Sequence, residues 1–233
     1  MTTSTSPTSS SSPLAERLQL VRAGIADAAR TAGRSPDELT TIVVTKFHPA
    51  ALVRELAELG VTDVGENRHQ EAQAKAADLA DLPLRWHFVG QLQSKKARQV
   101  RAYADVIHSI DRASLVDALR SDERDIDCFV QLNLTDDPAR GGVADRDLEP
   151  LVDRVLETPG LRLLGVMAVA PLGEEPQRAF ARVRAASERV RALSPDADRI
   201  SAGMSQDYPA AIAEGATHLR IGTAITGNRP VAG

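Results

Sequence analysis

The feature that most constrains this chain is a repeat of element type: eight short runs rich in β-branched and apolar residues, separated by stretches with helical spacing. The runs are TIVVT (41–45), TDVG (62–65), WHFVG (86–90), DVIHS (105–109), CFVQLN (128–133), LLGVMAV (163–169), DRISA (198–202) and HLRIG (218–222). Helical stretches at 50–59, 68–79, 112–119, 148–156, 177–193 and 205–214 fall between them. Strict alternation implies parallel strands, because each helix is the crossover that returns the chain to the same end of the sheet. Eight such units predict a closed α/β structure, a single-domain (β/α)8 TIM barrel, and the 233 residues lie at the short end of what it needs. An open doubly wound sheet is the competing architecture, but no GxGxxG follows the first strand.

Before the first strand, Leu14, Leu18, Val21, Ile25 and Ala28 recur at three and four, which predicts an extra N-terminal helix, with Gly33 as its C-cap. The preceding MTTSTSPTSSSSP cannot bury enough apolar surface to offset its ordering entropy. Residues 1–13 are therefore expected to be a disordered tail, and 14–233 the barrel. That tail has neither the basic nor the apolar region of a secretory signal, and no apolar run reaches bilayer length. One cysteine, Cys128, makes no internal disulfide, and a cytoplasmic location is expected. A net charge of −4 argues against a broad nucleic-acid footprint. The basic stretch from Gln93 to Arg101 reads as a solvated helix face, and Cys128 as a small buried hydrophobe. The five histidines show no spacing typical of a zinc site, so they read as scattered and no metal is expected.

Barrels of this class build their sites from the C-terminal ends of the strands. Here those ends deliver Thr45-Lys46, Glu66-Asn67, Gly90, Ser109-Ile110-Asp111, Asn133, Met167, Gly203-Met204-Ser205 and Arg220-Ile221-Gly222-Thr223. Lys46 follows a β-type run with no turn, which places it at or inside the rim. A lysine desolvated there has more neutral amine to form a Schiff base with an aldehyde, and the plain alternative is a lysine that snorkels to solvent. The loops after strands seven and eight are where such barrels commonly hold phosphate. Ser205 is expected to open a helix, where a hydroxyl and free N–H groups attract an anion; a plain N-cap is the alternative. Gly222 and Thr223 supply the facing half. Arg220, two residues before Gly222, points inward by the period of two, either into a structural ion pair or toward a ligand.

These residues lie in longer blocks: VVTKFHP, VGENRHQEAQAKA, WHFVGQLQSKK, HSIDR, GVMAV and ISAGMSQDYPAAIAEGATHLRIGTAITGNR. In order and spacing the chain resembles the YggS-type pyridoxal phosphate homeostasis proteins, relatives of the alanine racemase N-terminal barrel. The resemblance implies pyridoxal 5′-phosphate (PLP) as a Schiff base on Lys46. It also implies Ser205, Gly222 and Thr223 as phosphate contacts, Arg220 facing the pyridine nitrogen, and Asn67 and Met204 lining the cofactor. Guanidinium only donates, so the ring nitrogen it meets must be unprotonated, which weakens the ring as an electron sink.

Racemisation needs a base on each face of the substrate, and the only tyrosines, Tyr103 and Tyr208, are not at strand ends. No catalytic residue is assigned. A PLP carrier acting in vitamin B6 and amino-acid homeostasis, passing PLP to apoenzymes as a monomer or weak homodimer, is expected ahead of a weak racemase-like enzyme.

Overall fold

A computed structural model describes residues 12–135 and 137–228. Eight parallel strands, β1 (Thr40–Val44), β2 (Asp63–Glu66), β3 (Arg85–Phe88), β4 (Val106–Ile110), β5 (Ile126–Gln131), β6 (Leu161–Met167), β7 (Arg199–Ser201) and β8 (His218–Ile221), close into a barrel in chain order. The seam pairs β8 with β1, Thr40 opposite His218 and Ile42 opposite Arg220. A helix follows each strand: α2 (Ala50–Glu58), α3 (His69–Asp78), α4 (Ala97–Arg101), α5 (Ala113–Leu119), α6 (Leu148–Leu156), α7 (Pro176–Leu193), α8 (Tyr208–Ala213) and α9 (Thr223–Thr226). No helix among the described residues is long and apolar enough to cross a membrane.

The extra helix α1 (Pro13–Thr31) starts one residue earlier than its apolar stripe, since Ser12 caps it by accepting from the Ala15 N–H at 3.2 Å and Pro13 fits the first turn. Those two residues, assigned to the tail from sequence, thus belong to the helix; the rest of that tail, 1–11, lies outside the described residues. At the other end Gly33, with φ +70°, terminates α1 as Gly33 N–H reaches Arg30 O and Arg34 N–H reaches Ala29 O. This is the Schellman pattern, and it needs a left-handed residue at Gly33. The helix packs against α8 and α9, where Arg17 Nε donates to Ile225 O at 2.7 Å and Arg34 donates to Ile212 O and Ala216 O.

Alternation by two sorts each strand into an outer face against the helices and an inner face along the barrel axis. Val43, Val64, Trp86, Phe88, Ile107, Cys128, Ile200, Leu219 and Ile221 join the outer core. Val106, Phe129 and Met167 form a separate apolar cluster. Ile42, in register with Arg220, is fully buried on the same inner face, and beside these apolar residues the inside carries His87, His108, Ser201, His218 and Arg220, more polar than the Val, Ile and Leu layers common in such barrels.

The basic stretch before β4 divides. A short 3-10 turn at Ser94–Lys96 runs into α4, and Arg101 at its end is buried, donating to Leu119 O, Gly160 O and Arg124 O. It caps three carbonyls at the barrel's lower rim, so the stretch is only in part a solvated face.

Candidate functional site

The predicted site residues meet at the C-terminal mouth, on four neighbouring strand ends in the order β2, β1, β8, β7. Asn67 follows Glu66 directly, and Lys46 stands two residues past β1. A side chain built on Gly222 would meet Val44 Cβ at 3.7 Å, so the end of β8 lies against the end of β1. Ser205 reaches the same loop, its Oγ accepting from Ala224 N at 3.4 Å. Thr223 begins α9 and is exposed, as is Met204, while Asn67 is half-buried with its Oδ1 unpartnered.

Lys46 itself is exposed. The desolvated position expected from sequence is not what holds it; the chain turns outward immediately after Thr45, and Phe47 adopts φ +69°. Such a conformation is rare for an aromatic residue and persists where neighbours over-determine it. Here a buried cluster does so. Lys75 Nζ donates to Thr45 O at 2.9 Å, to Glu66 Oε1 at 2.6 Å and to Glu71 Oε1 at 3.0 Å. Glu71 Oε1 in turn accepts from Phe47 N–H at 2.6 Å, and Thr45 Oγ1 donates to Glu66 Oε1 at 2.7 Å. The peptide groups on both sides of Lys46 are thereby pinned. Burial pushes the Glu66 carboxyl above its ordinary range, against the opposing pull of Lys75 and Thr45. Arg68 lies over the Phe47 ring at 4.7 Å. It borders a cleft of about 460 Å³ with His69, Gln91 and Lys96 beside the mouth.

Across the mouth, Ser205 does not open a helix. Residues 205–207 form a turn, and α8 starts at Tyr208 after Asp207, whose Oδ1 accepts from Met204 N–H at 2.6 Å. Pro209 cannot sit deep in a helix, which holds the start close to it. Gly203 is required to make the bend: its φ is +92° and a Cβ there would fall 2.8 Å from that of Ala211.

Below these loops Arg220 is 5% exposed and points inward as the period of two predicts. Its partners are neutral, Ser201 Oγ at 2.6 Å and Ala168 O at 2.8 Å, and it forms no ion pair among the described residues. Burial lowers its pKa to about 10. The structural ion pair offered as an alternative is thus absent among these residues.

Three of the histidines read as scattered gather inside the barrel. His87 Nε2 lies 2.9 Å from Asp63 Oδ1, His87 Nδ1 lies 2.9 Å from His108 Nε2, and His108 Nδ1 lies 2.9 Å from Ser201 Oγ. His218 packs edge-on to Phe129, which stacks on His108. No group of side chains among the described residues has the geometry to hold a metal ion. Burial holds all three histidines below the ordinary imidazole range, His218 at about 3.

The residues that sequence reasoning missed are Lys75, Glu71 and this axial chain. The four-residue spacing of Glu71 and Lys75 was a signal for the first. For the second, the same alternation that turns Arg220 inward also turns His87 inward between the outward Trp86 and Phe88.

The family described as alanine racemase, N-terminal domain, matches residues 18–230. A Pseudomonas aeruginosa protein named pyridoxal phosphate homeostasis protein is 42% identical over 226 residues, 94% of this chain and 96% of that one. Its Escherichia coli namesake is 38% identical, covering 93% and 97%. The structure of PipY from Synechococcus elongatus, with PLP bound, superposes with a TM-score of 0.80 at 36% identity, covering 92% of this chain and all of that one.

Proposed function

Because the chain belongs to the alanine racemase N-terminal domain family, and within it to the pyridoxal phosphate homeostasis proteins, we propose that it binds PLP at the barrel mouth through Lys46 and acts as a carrier. The observation that carries this reading is Arg220, a buried guanidinium with only neutral partners beneath a ring of donors. A buried cation so placed favours a ligand that brings an acceptor or negative charge. The mouth fits PLP in its donor set: an amine at Lys46, hydroxyls at Ser205 and Thr223, backbone at Gly222 and guanidinium at Arg220.

PLP supplies an aldehyde that condenses with the Lys46 amine, with loss of water. The chain's own residues do the rest. Ser205, Gly222 and Thr223 hold the phosphate, Arg220 donates to the ring nitrogen and keeps it unprotonated, and Asn67 and Met204 line the ring. Neither tyrosine is placed as a second base. The Tyr208 hydroxyl sits against Gly24 of α1, where a Cβ would come within 2.4 Å of it, and Tyr103 is stacked on His69 with its hydroxyl buried. That arrangement favours carriage of PLP over racemisation, and carriage in turn suggests cytoplasmic apoenzymes as the recipients.

Absorbance of the purified protein with added PLP, beside Lys46→Ala, followed by borohydride reduction and peptide mass mapping, tests this. A visible band lost in the variant, with the reduced adduct on Lys46, is the expected result; a band unchanged in Lys46→Ala overturns it.

A further inference from the structure

The barrel axis carries four polar side chains linked end to end beneath Arg220. We propose that Asp63, His87, His108 and Ser201 form a one-way hydrogen-bond relay that fixes the orientation of Arg220, making Asp63, at the far end of β2 from the mouth, a positioning residue for the PLP ring. This rests on the assignment of Arg220 to the ring nitrogen.

The two ends set the sense of every link. Guanidinium has donors only, so Ser201 Oγ accepts from Arg220 at 2.6 Å. The Ser201 hydroxyl proton is then available to His108 Nδ1, at 2.9 Å. At the other end an ionised Asp63 only accepts, so His87 Nε2 carries a proton and donates across 2.9 Å. His87 Nδ1 is left as an acceptor, and His108 Nε2 must be the donor in the 2.9 Å contact between the rings. Both imidazoles are therefore neutral Nε2–H tautomers. Reversing the chain requires a proton on Asp63 or a second proton on His87. The carboxyl is drawn the other way, since burial raises its pKa but hydrogen bonds from His87 and Thr62 outweigh that and lower it overall.

Charging either histidine would add a cation to an interior that already holds Arg220. His108 is fully buried and has His87, Arg220, His218 and Arg85 as its electrostatic neighbours; His87 is surrounded by Asp63, Arg85 and Asp105. The relay thus sets the Arg220 charge against Asp63 through three neutral groups. Ala168 O holds the second amino group, so two edges of the guanidinium are fixed by protein and its remaining N–H groups are those left for the ring.

The test reads tautomers first. In ¹⁵N-histidine-labelled full-length protein without PLP, at neutral pH, the imidazole shifts of His87 and His108 are expected to report neutral Nε2–H rings. An Nδ1–H or an imidazolium at either overturns the relay, and no substitution is needed for that result. Asp63→Ala removes the terminal acceptor. It is expected to release the His87 tautomer, weaken PLP binding by about fivefold and move the absorbance maximum of bound PLP. Unchanged affinity and spectrum in Asp63→Ala would overturn the positioning role. Failure to find the PLP adduct on Lys46 would instead defeat the cofactor reading and leave the tautomer result standing.

Discussion

Replacing Lys75 by methionine isolates the cluster that shapes the turn around Lys46. The lysine side chain is 7% exposed and bonded to two carboxylates, Glu66 at 1% and Glu71 at 25% exposure. Methionine fills most of the volume but leaves the Glu66 carboxylate buried with the Thr45 hydroxyl as its remaining donor. Breaking a buried pair in this way costs about 3–5 kcal/mol. For a domain of this size that is a fall in Tm of roughly 6–20 °C. Urea unfolding, with the m-value checked for constancy, measures it directly.

The pH dependence supplies an internal control. Glu66 already holds its proton above the ordinary range through burial, and removing Lys75 raises it further. A carboxyl that binds its proton more tightly folded than unfolded gains stability as pH falls, so the deficit near pH 5 is expected to be smaller than near pH 8. A loss below about 1 kcal/mol, typical of an exposed pair, or a deficit that grows on acidification, would refute the reasoning.

Three further outcomes follow from the geometry. His218 titrates at about 3 in the fold because of burial, against an ordinary value of 6.5. The unfolded chain therefore binds the extra proton first, and this group alone should remove about 2 kcal/mol of stability between pH 8 and 5, seen in urea midpoints; a flat profile would contradict it. Burial pushes the Cys128 thiol up to about 12, so it should react with a disulfide reagent only at the rate of unfolding, and immediate labelling would show the strand to be open. Gly203→Ala should cost about 1–3 kcal/mol in thermal or urea unfolding, from the left-handed backbone and the 2.8 Å approach to Ala211; no loss would mean that the loop relaxes freely.

The barrel was legible because each strand run combines β-branched residues with a polar or glycine end, and each helix carries an apolar stripe. Leu148–Leu156, the sixth helix, was bounded to the residue from sequence. The start of α8 was misplaced by three residues because Ser205 resembles an N-cap, whereas Asp207 takes that position before Pro209. Arg220 and the Gly222-Thr223 pair were readable from local pattern, since alternation and the strand end fix their placement, whereas for Lys46 only its place past β1 was, its exposure being set by the turn at Phe47. The axial chain was not, because strand register, which local pattern does not give, sets Asp63, His87 and His108 side by side on β2, β3 and β4, and only barrel closure brings Ser201 of β7 across to His108. Likewise Lys75 lies on a helix that reads as polar, and its burial depends on the turn it supports.

The seam between β8 and β1 has a consequence for how the molecule forms. Its partners are brought together from opposite ends of the sequence, and Arg17 and Ile225, which fasten α1 over α9, are 208 residues apart. Contacts of such separation form late, after the closure entropy has been met by shorter-range pairing, and they slow folding. In a nascent chain the β1 edge must wait, unpaired on one side, until β8 has left the ribosome. Helix α1 then locks a join that only β8 can complete.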